Sequence, residues 1–256
     1  MTNDRPTPKY PKVFWFFFSK KNCCLAIPHL CRGYPDMKTI LVLNPNSSVS
    51  VTERMQSGCS TIALPAGYQL DFRTLPEGPP VIECQREVES VVLPVCDYFH
   101  ANPADACVIG CFSDPGLYLA REELSVPVIG IAEAAVNAAA GLGARFGIIA
   151  IKQGSVGRHM RMVRQLGYAD RMAADRPLDL GVAELLDEEL SLTRIIDVGR
   201  RMRDEDGADV LILGCATMGA YRPRLQAELG IPVVDPTQAA VMQAFALLTL
   251  DYAGVV

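Results

Sequence analysis

Histidine is scarce in this chain: His29, His100 and His159 are the only three in 256 residues. The nine cysteines include no CxxC pair, and their spacing gives no Cys/His ligand set. Together these absences argue against a zinc site. Basic residues are not in surplus: 24 Lys and Arg face 29 Asp and Glu, a net charge of −5. Nothing electrostatic therefore points to nucleic acid or to an anionic membrane surface. Long hydrophobic runs are missing as well. The aromatic stretch Val13–Phe18 stops at Ser19-Lys20-Lys21-Asn22, too short for a membrane span or an ordinary signal-peptide core, and no A-x-A cleavage site follows. No cofactor motif appears, so none is expected and a small molecule is left as the partner. The odd cysteine count, with several thiols inside apolar runs, fits reduced thiols in a cytoplasmic protein better than a disulfide framework.

What is present is a phrase said twice. Ala104-Asp105-Ala106-Cys107-Val108-Ile109-Gly110-Cys111 returns without a gap as Ala208-Asp209-Val210-Leu211-Ile212-Leu213-Gly214-Cys215. Further on, Leu124-Ser125-Val126-Pro127-Val128-Ile129-Gly130 answers Leu229-Gly230-Ile231-Pro232-Val233-Val234-Asp235, and Ala134-Ala135-Val136 answers Ala239-Ala240-Val241. Half of the residues are hydrophobic and 21% charged, enough to bury a core in one large domain or two small ones. The first 36 residues differ from the rest and are expected to be a disordered or non-native extension, with a membrane-surface anchor as the rival reading. An ordinary start is read at Met37, where Lys38-Thr39-Ile40-Leu41-Val42-Leu43 opens as a buried strand.

Pattern and punctuation then place the elements. Ile40–Leu43 reads as a strand ended by Asn44-Pro45-Asn46. Ser50 is expected to cap a helix, with Glu53 three residues on. Thr61–Leu64 is a second strand candidate, and residues 65–80 read as a Pro- and Gly-rich loop. Glu83–Phe99 has helical spacing, with Pro94 expected to kink it or to mark a misplaced boundary. Strands follow at 106–110 and 127–131, and helices at 117–123 and 133–140. The second half repeats the rhythm, with strands at 145–151, 210–214 and 233–234 and helices at 154–166, 187–205 and 237–250. Apolar strands alternating with helices predict an α/β protein: two pseudo-symmetric parallel-sheet lobes from an internal duplication, with the active site in the cleft between them. Lobe 1 is expected over residues 37–140, completed by the C-terminal helix within 237–256, and lobe 2 over 141–236. Ligands of open α/β sheets bind beyond the carboxyl ends of the strands, where Cys111, Cys215 and Asn44-Pro45-Asn46 fall.

Two thiols across one cleft suit proton transfer at carbon. A thiolate on one face removes a proton next to a carbonyl, and a thiol on the other face returns one. A strand-to-helix junction is expected to favour the thiolate, because helix N-termini present N–H groups and the positive dipole end. The same groups can hold a developing enolate oxygen. Free cysteine is more often core filler, and Cys59, Cys84, Cys96 and Cys107 are read that way. The duplicated setting of Cys111 and Cys215 tips those two toward chemistry.

At this point the chain resembles the Asp/Glu racemase superfamily, most closely its hydantoin and allantoin racemase branch. The resemblance runs from about Met37 to the C-terminus. It rests on Leu43-Asn44-Pro45-Asn46-Ser47-Ser48 with Thr52, on Gly110-Cys111-Phe112-Ser113-Asp114-Pro115-Gly116-Leu117, on Pro127-Val128-Ile129-Gly130-Ile131-Ala132-Glu133-Ala134-Ala135, and on Leu213-Gly214-Cys215-Ala216-Thr217-Met218. It implies a cofactor-free, two-base enzyme assembled as a homo-oligomer. Cys111 and Cys215 would be its catalytic pair, and Asn46, Ser47, Ser48, Phe112, Ser113, Ala216 and Thr217 would bind the substrate.

Amino-acid racemases of the superfamily carry Asn-Thr and Thr-His after their cysteines. Here Phe112-Ser113-Asp114 and Ala216-Thr217-Met218 follow, which favours a neutral hydantoin-type ring over glutamate or aspartate. Asp114 near the cleft would repel a dicarboxylate, although its plainer role is a helix cap or Asx-turn. Two departures touch the substrate: Asp114-Pro115-Gly116 stands where hydantoin racemases often have Asp-Thr-Gly, and Ile149-Ala150-Ile151-Lys152-Gln153 replaces a threonine-rich strand end. Lys152 is either a charge at the cleft mouth or a solvated side chain. The other readings are an aspartate- or glutamate-type racemase, a maleate isomerase or arylmalonate decarboxylase relative, and a two-lobed small-molecule binding protein. A decarboxylase needs only one thiol, so the presence of both cysteines counts against it.

Overall fold

The computed structural model describes residues 37–252 except 183 and 187. The expectation for residues 1–36 lies outside the described residues. The first half runs β1 (Lys38–Asn44), α1 (Val49–Gly58), β2 (Tyr68–Thr74), α2 (Gln85–Ser90), α3 (Val92–Ala101), β3 (Ala106–Ile109), α4 (Leu117–Glu123), β4 (Val128–Gly130) and α5 (Ile131–Leu142). The second half runs β5 (Phe146–Ala150), α6 (Gln153–Gln165), β6 (Met172–Pro177), α7 (Glu188–Asp204), β7 (Val210–Leu213), α8 (Arg222–Leu229), β8 (Val233–Val234) and α9 (Pro236–Thr249). The strands form two all-parallel sheets of four, ordered β2-β1-β3-β4 and β6-β5-β7-β8. The same order in both halves is the structural counterpart of the repeated phrase.

The central strands bury nearly everything they carry: Ile40–Leu43, Ala106–Ile109, Phe146–Ala150 and Val210–Leu213 are all buried. Such runs have helices on both faces. The helices also cross between the halves. α5 packs on β7, whereas α9, the last helix, packs on β3, β4 and α5. α1 lies along the 3-10 turn Ala216–Tyr221 that follows Cys215.

Several sequence expectations need correction. Thr61–Leu64 is not a strand; Thr61 ends a 3-10 turn, and the strand is β2, inside the stretch read as a loop. β2 is a sheet edge with alternating residues, Tyr68, Leu70 and Phe72 against Gln69, Asp71 and Arg73, so a search for continuous apolar runs passes over it. β6 escaped for the same reason, being an edge strand that carries Asp175 and Arg176. The helix expected over 83–99 is two helices that break at Val91, and Pro94 sits in the first turn of α3, where its missing N–H costs no hydrogen bond. α1 begins two residues earlier than expected, with Ser48 at the cap position; Ser50 lies inside it and shares a hydroxyl contact of 2.9 Å with Ser48.

The glycine before each cysteine has a steric cause. Gly110 N–H donates to Leu43 O at 2.8 Å, and Gly214 N–H donates to Ile149 O at 2.9 Å. A Cβ would stand 2.9 Å from the first carbonyl oxygen and 2.5 Å from the second, closer than van der Waals contact allows. Gly214→Ala is therefore expected to cost about 1–3 kcal/mol, as overpacking does. Gly157→Ala, at a helical site with nothing within 4 Å of the added carbon, is expected to be neutral or stabilising. Thermal unfolding followed by circular dichroism checks the contrast; an equal melting temperature for Gly214→Ala and the parent would refute it.

Candidate functional site

The loops after β1, β3 and β7 and the start of α6 surround a narrow cleft. Cys111 and Cys215 both line it, together with Asn46, Phe112, Ser113, Ala216 and Thr217. Ser47 and Ser48 are not among the lining residues. Ser47 N–H instead donates to Pro79 O at 3.0 Å, and Ser48 N–H to Asn46 Oδ1 at 2.9 Å. Asn46 is buried and is tied down by Asn44, whose Nδ2 donates to its Oδ1 at 2.9 Å and to Thr52 at 3.1 Å.

Each thiol sits one residue past the close contact of its glycine, so the strand end fixes its position. Cys215 is buried, with Thr217 Oγ1 3.2 Å from its sulfur. Burial raises its pKa; the Thr217 hydroxyl and the N–H groups of Thr217 and Ala216 pull the other way. For Cys111, burial likewise pushes the thiol up, to about 12, against the N–H of Ser113 and the charge of Arg158. Cys215 is among the groups that raise it further, so the two sulfurs sense one another. Desolvation thus works against the thiolate expected at a helix N-terminus. The N–H groups act in the expected direction, but desolvation outweighs them, and α4 begins only at Leu117, six residues beyond Cys111.

Asp114 does not line the cleft. It has φ +43°, and its carboxylate accepts from the N–H groups of Ala132 and Glu133, both at 2.9 Å. It caps a helix, as the plainer reading had it, but the helix is α5, across the sheet, and not the one that follows it. The second copy does this differently: Asp235 caps its own helix α9 through Thr237 N–H at 2.8 Å. In each copy a glycine, Gly130 or Gly219, leaves the space that the carboxylate fills. Lys152 is neither a free charge nor simply solvated: it pairs with Glu83.

Glu83 belongs to a strap over the mouth of the cleft. Its other carboxylate oxygen accepts from Val182 N–H at 2.8 Å, and its carbonyl accepts from Arg158 at 3.0 Å. Next to it, Gln85 accepts from Arg161 at 2.7 Å. These bonds join the segment before α2 to the second sheet's helices, and Ile82 and Val182 from the two sides line the cleft.

Sequence reasoning missed one wall. Ser155, Arg158 and His159 of α6 line the cleft, and His159 Nδ1 pairs with Asp175 Oδ2 at 2.9 Å where both side chains are buried. The His159 ring also meets Phe112 edge-on, with centroids 5.1 Å apart. Ser155, His159 and Val163 are the buried stripe of α6, and that four-residue spacing was readable in the sequence. Asp175 was not, because β6 had not been recognised. No group of His, Cys, Asp and Glu among the described residues could hold a metal ion, and no helix among them is long and apolar enough to cross a membrane.

Residues 40–244 match the family model for Asp/Glu/hydantoin racemases. The chain belongs to the Asp/Glu/hydantoin racemase family. It is 35% identical to a hydantoin racemase of Paenarthrobacter aurescens over 219 residues, 83% of this chain and 92% of that protein. Among solved structures, an allantoin racemase from Klebsiella pneumoniae superposes with a TM-score of 0.81 at 31% identity, covering 85% of this chain and 90% of that one. An allantoin racemase from Pseudomonas fluorescens gives 0.80 at 29% identity, covering 84% and 93%. Membership places this chain among the isomerases.

The raised thiols have a measurable consequence. Cys84 is exposed, whereas Cys111 is half-buried and Cys215 buried. With iodoacetamide at neutral pH, peptide mapping by mass spectrometry is expected to show Cys84 modified at least about tenfold faster than Cys111 or Cys215. Faster labelling of either cleft thiol would mean that it is already a thiolate.

Proposed function

We propose that this protein is a cofactor-independent racemase of a hydantoin-type ring, a 5-substituted hydantoin or allantoin, with Cys111 and Cys215 as its two bases. The observation that carries the reading is that the two repeated cysteines line one cleft. The identity to hydantoin racemases and the likeness to allantoin racemases support the ring as substrate. Homo-oligomeric assembly belongs to the same reading.

In the active form the two sulfurs hold one proton between them. The thiolate takes the proton from ring carbon 5, and the electron pair of that C–H bond moves onto the adjacent carbonyl as an enolate. The other sulfur gives its proton to the opposite face of the same carbon, the enolate collapses, and the roles of thiol and thiolate are exchanged. Backbone N–H groups at Ser113, Ala216 and Thr217 steady whichever sulfur is negative. Asn46, whose Oδ1 is already engaged, has its Nδ2 donor available for a ring carbonyl.

Proton NMR in D₂O tests the reading. Loss of the ring-carbon proton is expected with a hydantoin or allantoin, and none with aspartate or glutamate. Cys111→Ser and Cys215→Ser should each lower racemisation by about 10²–10⁴-fold, while one enantiomer keeps exchanging its proton. Full racemisation by either variant would refute the two-base assignment.

The thiol pKa values predict the pH profile. Burial raises both, so the thiolate is a minor species at pH 7 and its share grows with pH. kcat/KM is expected to climb about tenfold per pH unit from about pH 7 to 9. A plateau already at pH 7, read by polarimetry, would show that the reactive thiolate forms without this penalty.

A further inference from the structure

The cleft carries a charge that the ring chemistry does not use. Arg158 is the only lysine or arginine lining it, and no aspartate or glutamate does so, among the described residues. Its Nη1 donates to Gly154 O and its Nη2 to Glu83 O, both at 3.0 Å, and both acceptors are uncharged carbonyls. Its Nε is buried without a hydrogen-bond partner. No ion pair involves Arg158 among the described residues. The nearby acids of the strap are engaged elsewhere: Glu83 holds Lys152 and Val182 N–H, and Glu87 accepts from the N–H groups of Glu83 and Cys84.

Glu87 senses the Arg158 charge but makes no ion pair with it, and a guanidinium with one donor buried and unused gains when a ligand completes it. Arginine suits a carboxylate because its fork delivers charge-assisted bonds in a fixed plane. Ser113 stands on the same lining, with a hydroxyl that bonds to no other described residue. Asp114 bonds to the N–H groups at the start of α5 and does not line the cleft, although its charge still acts on the Cys111 thiol. An acidic substituent beside Arg158 therefore meets no carboxylate on the lining, while the ring itself stays neutral.

We infer that Arg158 determines substrate choice by binding a carboxylate on the 5-substituent, so that the preferred substrate is a hydantoin bearing a short carboxyalkyl group. This rests on the hydantoin-racemase reading. The neutral ring lies between the two thiols, and its side arm runs along α6 to Arg158 and Ser113. Arg158 takes no proton in the reaction; it fixes where the ring sits, so its effect is expected in KM.

The test is a substrate series: hydantoin-5-acetic acid, hydantoin-5-propionic acid, allantoin and 5-benzylhydantoin, each followed by proton exchange in D₂O and by polarimetry. In the parent protein, kcat/KM for the better acid is expected to exceed that for 5-benzylhydantoin by about tenfold or more, mainly through KM, and the ratio should shrink as salt is added. Arg158→Gln should erase most of that ratio, and Arg158→Lys should keep part of it. Exchange on the hydantoins without an acid preference in the parent overturns the inference alone, a result that needs no variant to fold. An acid preference that survives intact in a folded Arg158→Gln overturns it too. Failure of every hydantoin to exchange overturns the racemase reading, and the inference with it.

Discussion

Two backbone contacts organise the site. The Leu43 carbonyl of β1 receives Gly110 N–H, the Ile149 carbonyl of β5 receives Gly214 N–H, and neither approach leaves room for a side chain. Each contact ends the pairing of a buried central strand and turns the chain out of the sheet at the next residue, which is a cysteine. Because both sheets have the same strand order, the same event occurs twice, and the crossed packing of α5 and α9 brings the two results together. The thiols thus come from opposite halves of the chain but share one cleft.

That origin also explains the thiol chemistry. A sulfur at the end of a fully buried strand is shielded from water, and desolvation raises its pKa more than the neighbouring N–H groups lower it. Burial favours the protonated thiols, and a thiolate formed there is poorly hydrated and therefore a strong base. The two halves are not equivalent, however. Cys215 has the Thr217 hydroxyl at 3.2 Å and a 3-10 turn starting at once, whereas Cys111 is followed by a loop and faces Arg158. The duplication provides two thiols in one cleft, and the residues around them have diverged.

The carboxylates show how the duplicated frame was modified. Asp114 and Asp235 come from different places in the repeat, yet each caps the helix that follows the last strand of its sheet. Burial pushes Asp114 up to about 7 and Asp235 up to about 6, even against two N–H donors each. Their role is to anchor α5 and α9, the helices that hold the halves together. The strap around Glu83 adds a second tie, at the mouth of the cleft, made of exposed and half-exposed polar groups.

The sequence by itself determined the parallel α/β class, the duplication, most central strands and helices, and the two cysteines. These features depend on local pattern: continuous apolar runs, helical spacing and an ungapped repeat survive in one dimension. The edge strands β2 and β6 did not, because a sheet edge is only half covered: β2 alternates apolar with polar residues, and β6 carries Asp175 and Arg176. Only the tertiary structure decided what Asp114, Lys152, Arg158 and His159 do. Asp114 finds its donors 18 and 19 residues away, His159 its partner on β6, and Lys152 its partner on the strap 69 residues earlier. Charge and hydrogen bonding act through space, and a linear pattern holds no record of which segment will lie opposite.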